Sequence, residues 1–155
     1  MKIELILLGK TKEDYLDRGI KDYAQRLNHY TQVNLNYLKV KKQNSKSEFE
    51  IKRYESRLLN EHLVDDSFSL VLDSSGHQYS SEKFADLIST LEQKGVKKMS
   101  CVIGGPLGLA VEQLEAADLV FSLSQLTFTH DMSRLILLEQ LYRAYSIKAG
   151  TRYHK

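Results

Sequence analysis

Short apolar runs alternate with longer stretches of helical spacing four or five times along this chain, and that alternation restricts the fold more than any other feature. Residues 2–8 read as a buried first strand, turned by Gly9-Lys10-Thr11, with Thr11 and Asp14 marking a helix start. Glu13–Tyr30 then places Leu16, Ile20, Tyr23, Ala24 and Leu27 on one helical face. Val33–Leu38 alternates apolar and polar, as a strand with one wet face does. Lys41–Lys46 is the expected mobile loop, and Ser47–Leu63 a second helix through Ile51, Tyr54, Leu58 and Leu59. Phe68–Asp73 is a third strand closed by Ser74-Ser75-Gly76, and Ser80 opens a helix that runs to Lys94 and Gly95. Strands separated by helices pair in parallel, so the expected fold class is α/β, one domain with a mainly parallel sheet and helices on both faces.

The last third carries the densest constellation. Met99–Ile103 runs straight into Gly104-Gly105-Pro106-Leu107-Gly108, and Asp118–Phe121 runs into Ser122-Leu123-Ser124-Gln125-Leu126-Thr127-Phe128-Thr129-His130. A helix leaves that loop, with Met132, Leu135, Ile136, Leu138, Leu141, Tyr142 and Tyr145 on its apolar surface. Apolar on more than one side, it is either central in the domain or buried against a partner chain. Ligands on parallel sheets sit outside the carboxyl ends of the strands, where both loops fall. Two glycines at a strand end let backbone approach a ligand, although a plain tight turn uses them equally well. Hydroxyls at Ser122, Ser124, Thr127 and Thr129 can hold a polar ligand without imposing charge, or can cap the helix that follows. His130 and Arg134 are four apart and share a helical face, as do Glu139 and Arg143, for which a surface ion pair is the plain account.

Composition removes several classes. No Gly-x-x-x-x-Gly-Lys-Ser/Thr is present and no Gly-x-Gly-x-x-Gly follows the first strand, which argues against a nucleotide triphosphatase and the usual dinucleotide fold. One cysteine excludes an intramolecular disulfide framework and a cysteine-cluster metal site; Cys101, among apolar strand residues, is expected as a small buried side chain in a cytosolic protein. No apolar run approaches the roughly 18 residues of a membrane span. The net charge of +2 says little, but its distribution is uneven. Lys39–Arg53 holds six basic and two acidic residues, and Asp131–Lys155 five and two, while Leu107–Gln125 has Glu112, Glu115 and Asp118 with no basic residue. That permits a phosphate-binding face; solvated helix ends are the bland alternative. The final Arg152-Tyr153-His154-Lys155 combines an aromatic platform, cations and a group that titrates near neutrality.

Taken together, Ile103-Gly104-Gly105-Pro106-x-Gly108, Ser122-Leu123-Ser124-x-x-Thr127-Phe128-x-His130, Arg134, Leu141-Tyr142-Arg143-Ala144 and terminal Tyr153-His154-Lys155 resemble the RlmH family of SPOUT-class methyltransferases. The resemblance spans the whole chain, with its specific motifs in residues 70–155. One departure is visible: relatives commonly carry proline immediately before the histidine, where Thr129 stands here.

The resemblance implies a SPOUT α/β fold with a C-terminal trefoil knot, a homodimer, and methyl transfer from S-adenosyl-L-methionine to N3 of a pseudouridine in 23S ribosomal RNA on the assembled ribosome, with neither DNA nor a membrane as partner and no metal. By motif position it places the cofactor on Leu72, Gly105, Ser124, Gln125, Leu126, Thr127, Phe128 and Thr129. His154 is the first candidate for contacting the target base, Tyr153 for stacking beside it, and His130 the second candidate; Arg134, Arg143 and Arg152 would hold phosphates or a developing oxyanion. Two other readings stand beside this one. The first is a non-catalytic RNA-binding or ribosome-assembly module; the second is a SPOUT methyltransferase acting on transfer RNA, disfavoured by the lack of an appended RNA-binding domain.

Overall fold

Residue-by-residue alternation along the first strand decides how the layers stack. In β1 (Lys2–Leu8), Ile3, Leu5 and Leu7 point to one side of the sheet and Ile6 and Leu8 to the other, and all five are buried. A strand buried on both faces needs helices on both faces. The computed structural model, which describes residues 1–41, 46–63, 67–151 and 153, shows that arrangement.

The remaining elements in chain order are α1 (Asp14–Leu27), β2 (Val33–Leu38), α2 (Glu48–Asn60), β3 (Phe68–His77), α3 (Ser81–Gln93), β4 (Lys98–Ile103), α4 (Val111–Glu115), β5 (Leu119–Phe121) and α5 (His130–Lys148). Five strands form one sheet in the order β2-β1-β4-β3-β5, every pair parallel. Helices α1, α3 and α5 pack their apolar faces, among them Ile20, Leu27, Phe84, Ile88, Leu137, Leu138 and Leu141, against one side. Helix α2 covers the other side through Leu59, with Leu109 and Leu114 beside it. Helix α5 lies between α1 and α3. It comes so near α1 that a Cβ on Gly19 would stand 2.9 Å from Leu135 Cδ1.

Helix starts follow the side chains available to cap them. Ser47 and Glu50 form a reciprocal capping box, Ser80 accepts from the Lys83 amide, and Thr129 accepts from the Met132 amide. Thr11 does not begin α1, as its spacing to Asp14 suggests. Glu13 occupies that position without a side-chain cap, and the Thr11 hydroxyl accepts a hydrogen bond from Arg134 instead. Nor does Ser74-Ser75-Gly76 end the third strand. Leu72 and His77 both pair with Phe121, so residues 73–76 form a bulge within a strand that continues to His77. Gly76 permits this, because a Cβ there would fall 2.6 Å from the Val120 backbone. The short helix α4 is an addition to the elements expected from periodicity. Of the expected loop at 41–46, residues 42–45 lie outside the described residues.

Candidate active site

Strands β4, β3 and β5 are neighbours in the sheet, so the segments that leave their carboxyl ends must lie side by side. Residues 104–110, the bulge after Leu72 and the loop 122–129 therefore converge, and the start of α5 closes the space between them. The result is a cavity of about 460 Å³, lined chiefly by Leu72, Gly104, Gly105, Leu123, Ser124 and Leu126 through His130. That size suits a nucleoside-sized ligand.

Backbone makes much of this wall because its glycines leave no room for side chains. A Cβ on Gly104 would stand 2.8 Å from Leu109 Cγ, and one on Gly105 would stand 3.1 Å from both carboxylate oxygens of Glu55. The turn that follows them is closed by the Gly108 amide donating to the Gly105 carbonyl at 3.0 Å, with Gly108 at φ +77°. Apolar walls come from Leu72, Ile103, Leu109 and Leu123.

The hydroxyls of the 122–129 loop shape it. Ser122 Oγ donates to the Ser124 carbonyl at 3.0 Å, Ser124 Oγ accepts from the Leu126 amide at 3.0 Å, and Thr129 Oγ1 caps α5. Leu126 is 72% exposed and Phe128 36%, so two apolar side chains stand at the mouth. Asp73 sits on the rim with Oδ1 accepting from the amide and hydroxyl of Ser75 at 2.9 and 2.7 Å.

His130 borders the cavity with Nε2 3.4 Å from Asp131 Oδ1. Burial, with help from the nearby cations Arg134 and Lys12, lowers its pKa below the ordinary imidazole value despite Asp131. The ring is therefore neutral near pH 7 and can accept a proton at one nitrogen.

Most of the expected site residues meet here: Leu72, Gly105, Ser124, Leu126, Thr127, Phe128, Thr129 and His130 all line the cavity, whereas Gln125 is exposed and is not part of the lining. Arg134 requires a correction. It is fully buried: Nη2 donates to the Leu8 carbonyl at 2.6 Å, Nη1 to Thr11 Oγ1 at 3.1 Å, and Nη1 lies 2.9 Å from Asp131 Oδ1. A guanidinium so engaged ties α5 to the end of β1 and is not available to an RNA phosphate.

Arg143 and Tyr153 lie away from the cavity, toward α1. Arg143 Nε donates to Glu139 at 3.0 Å, and its guanidinium stacks 4.9 Å over the Tyr153 ring. The Tyr153 hydroxyl is 3.1 Å from that of Tyr23 and donates to Glu139 at 3.2 Å. Burial and these partners raise its pKa, so the phenol stays neutral. Arg152 and His154 lie outside the described residues.

Glu55 escaped the sequence reading. Its signal was present: Ile51, Glu55 and Leu59 are spaced by four, which puts a carboxylate in the apolar stripe of α2. Only 7% exposed, it has an Oε2 with no hydrogen-bond partner, and burial raises its pKa.

Among the described residues no helix is long and apolar enough to cross a membrane, and no group of three or more His, Cys, Asp or Glu is placed to hold a metal.

The chain matches a family model described as "Predicted SPOUT methyltransferase" over residues 1–154. It is 46% identical over the full length of both chains to a protein of Desulfotalea psychrophila named "Ribosomal RNA large subunit methyltransferase H". Proteins of the same name from Halothermothrix orenii and Clostridium novyi are 41% and 42% identical, again over both full lengths. Among solved structures, a probable methylase family protein from Haemophilus influenzae Rd KW20 superposes with a TM-score of 0.55 at 11% identity, covering 96% of this chain and 66% of that one. That last likeness concerns the fold.

Proposed function

We infer, from a chain that belongs to the SPOUT methyltransferase family, that the cavity at the ends of β3, β4 and β5 binds S-adenosyl-L-methionine, and that the protein methylates large-subunit ribosomal RNA. The finer reading is transfer to N3 of a pseudouridine in 23S RNA on the assembled ribosome, in the cytoplasm where ribosomes work. The observation that carries it is the cavity itself. A glycine-walled, apolar-floored space of this size lies at the adjoining ends of three parallel strands, in a chain that relatives of that name match over their full length.

A nucleoside moiety needs flat apolar surface and backbone hydrogen bonds at its edge; Leu72, Leu123 and Leu109 offer the first, and the 104–108 turn and 124–129 loop the second. Gly105 lines the cavity and presents main chain there with no side chain of its own. When bound, the sulfonium cofactor supplies an activated methyl group. The chain's own contribution is then alignment, worth up to roughly 7–11 kcal/mol in favourable cases, and management of the imide proton at N3. His130, neutral and at the cavity edge, is placed to accept that proton.

Tyr153 and Arg143 lie toward α1, away from this chain's cavity, so their roles toward RNA belong to a dimer in which one copy's tail serves the other's pocket. His154 as base contact and Arg152 as phosphate contact belong to the same proposal, as does trefoil threading of the C-terminal part. The test is labelled methyl transfer to assembled ribosomes with the product nucleoside identified by mass spectrometry. Label on N3 of a pseudouridine is the expected result; label on transfer RNA, or none, overturns it.

A further inference from the structure

Behind the Gly104–Gly105 turn sits a charge-bearing side chain that neither the pocket lining nor the fold employs. The Glu55 carboxyl lies 3.1 Å from where a Gly105 Cβ would be, is 93% removed from solvent, and leaves Oε2 without a donor. Buried carboxylates are ordinarily paired or hydrogen-bonded, because an unpaired one loses its hydration with nothing in return.

Candidates for a cation partner are few, and none engages it. Lys52, Arg53 and Arg57 share its helix and face the outer groove between α2 and residues 109–112, while Glu61 beyond them is of like sign. Lys39 and Lys41 follow β2; on β1 and β4, Glu4 and Lys98 pair with each other. Glu112 on α4 and Asp73 on β3 are acidic, and His77 on β3 meets the Tyr79 ring edge to face. The segment 104–110, which touches the carboxyl, has no charged residue at all. Among the described residues, no ion pair or hydrogen bond to Glu55 Oε2 forms. No positive charge among the described residues meets this carboxyl, and the cavity that Gly105 lines is where a ligand would bring one.

We propose that Glu55, acting through the thin wall at Gly105, is the counter-charge by which the pocket distinguishes the cationic methyl donor from its neutral thioether product. This rests on the cofactor reading given above. Glu55 is a positioning residue, since Gly105 stands between it and the ligand. In the free protein burial raises the pKa of its carboxyl and so favours the protonated form. A sulfonium entering beside Gly105 favours the carboxylate, so donor binding drives the Glu55 proton into solvent. S-adenosylhomocysteine, which lacks the sulfonium charge, leaves the proton in place. Product release is thereby favoured after each transfer.

Calorimetry of the full-length protein with S-adenosylmethionine and with S-adenosylhomocysteine, at pH 6 in buffers of different ionisation enthalpy, counts the protons. Expected is net proton release with the donor and none with the product. E55Q should raise the donor's Kd about tenfold, the equivalent of one pKa unit of coupling, change the product's by less than twofold, and abolish the release. The proton count on the unaltered protein needs no variant. If both ligands bind with the same proton count, the Glu55 assignment is wrong and the pocket stands. If neither binds, pocket and assignment fall together.

Discussion

The carboxyl ends of β1 and β4 are adjacent, and each receives one buried charged side chain from a helix, yet the two are treated in opposite ways. At β1, Arg134 comes down from α5 and meets a carbonyl, a hydroxyl and a carboxylate, while Asp131 also accepts from the Lys12 amide at 3.1 Å. At β4, Glu55 comes up from α2 and meets glycine backbone with one oxygen unpartnered. The first end is sealed and the second opens onto a cavity. Arg134, held by a carbonyl, a hydroxyl and a carboxylate, ties α5 to the end of β1 even though its Nε and Asp131 Oδ1 carry no hydrogen bond, whereas among the described residues Glu55 has neither a hydrogen bond nor an ion pair to hold it.

The largest effect should come from breaking the sealed end. Arg134→Met leaves Asp131 buried beside a lost cation, and the Leu8 carbonyl loses its donor. Removing one partner of such a pair costs about 3–5 kcal/mol, read as a lowered midpoint in urea with unchanged slope. Arg134→Lys should recover little, because an ammonium cannot span three acceptors that a planar fork reaches. A loss below about 1 kcal/mol for Arg134→Met would show the contacts to be incidental, since that is the usual scale of surface ion pairs.

At the open end a substitution should split binding from stability. Gly105→Val puts a branched side chain against the Glu55 carboxyl, where even a Cβ stands 3.1 Å away, and intrudes on the wall. Donor affinity should fall at least tenfold by calorimetry, while stability drops by about 1–3 kcal/mol, the usual cost of overpacking. Unchanged affinity would remove Gly105 from the ligand wall.

The open end should also respond to pH, with a sign opposite to that of Glu92 on α3. A carboxyl whose folded pKa is raised binds its proton more tightly folded than unfolded. Its contribution is whole below the ordinary value near 4.5 and is lost as pH rises through the folded value. In the free protein, E55Q should therefore gain on the parent as pH climbs from 4 toward 7. Glu92 has the opposite sign: burial alone would raise its pKa, but hydrogen bonds from Lys148 and Tyr145 outweigh this and lower it, so its contribution fades as pH falls. Comparing parent and variant at each pH cancels Glu92. A difference independent of pH would mean that Glu55 binds its proton equally well folded and unfolded.

Much of this architecture was legible in the sequence because period and composition are local. Strand–helix alternation gave the α/β class, and Ser47, Ser80 and Thr129 marked helix starts by chemistry that reaches only three residues. What stayed hidden depends on distant partners. His130 and Arg134 share a helical face at a spacing of four, but two of the partners of Arg134, Leu8 and Thr11, are more than 120 positions away. Ser74-Ser75-Gly76 has turn composition, yet Gly76 is there to clear the Val120 backbone on β5. The cavity residues were found together since three adjacent strand ends supply them. Glu55 was passed over because a lone carboxylate in an apolar stripe looks like noise until the opposing glycine is seen.

The smallest effect expected is at Thr129, where the resemblance expects proline. Thr129 has φ −64° and extended ψ, which a proline ring adopts without strain, and its carbonyl would still accept from the Ser133 amide. Thr129→Pro removes the hydroxyl cap on the Met132 amide, about 1 kcal/mol, and restores about 0.4–1 kcal/mol by restricting the unfolded chain. The two nearly cancel, so the melting temperature should move by only a degree or two and donor affinity by less than twofold. Thr129→Ala has the loss without the compensation and should be the less stable of the pair. If proline proved the worse, the hydroxyl would be holding the 122–129 loop in a way that the cap alone does not explain, and the open end would owe part of its shape to this residue.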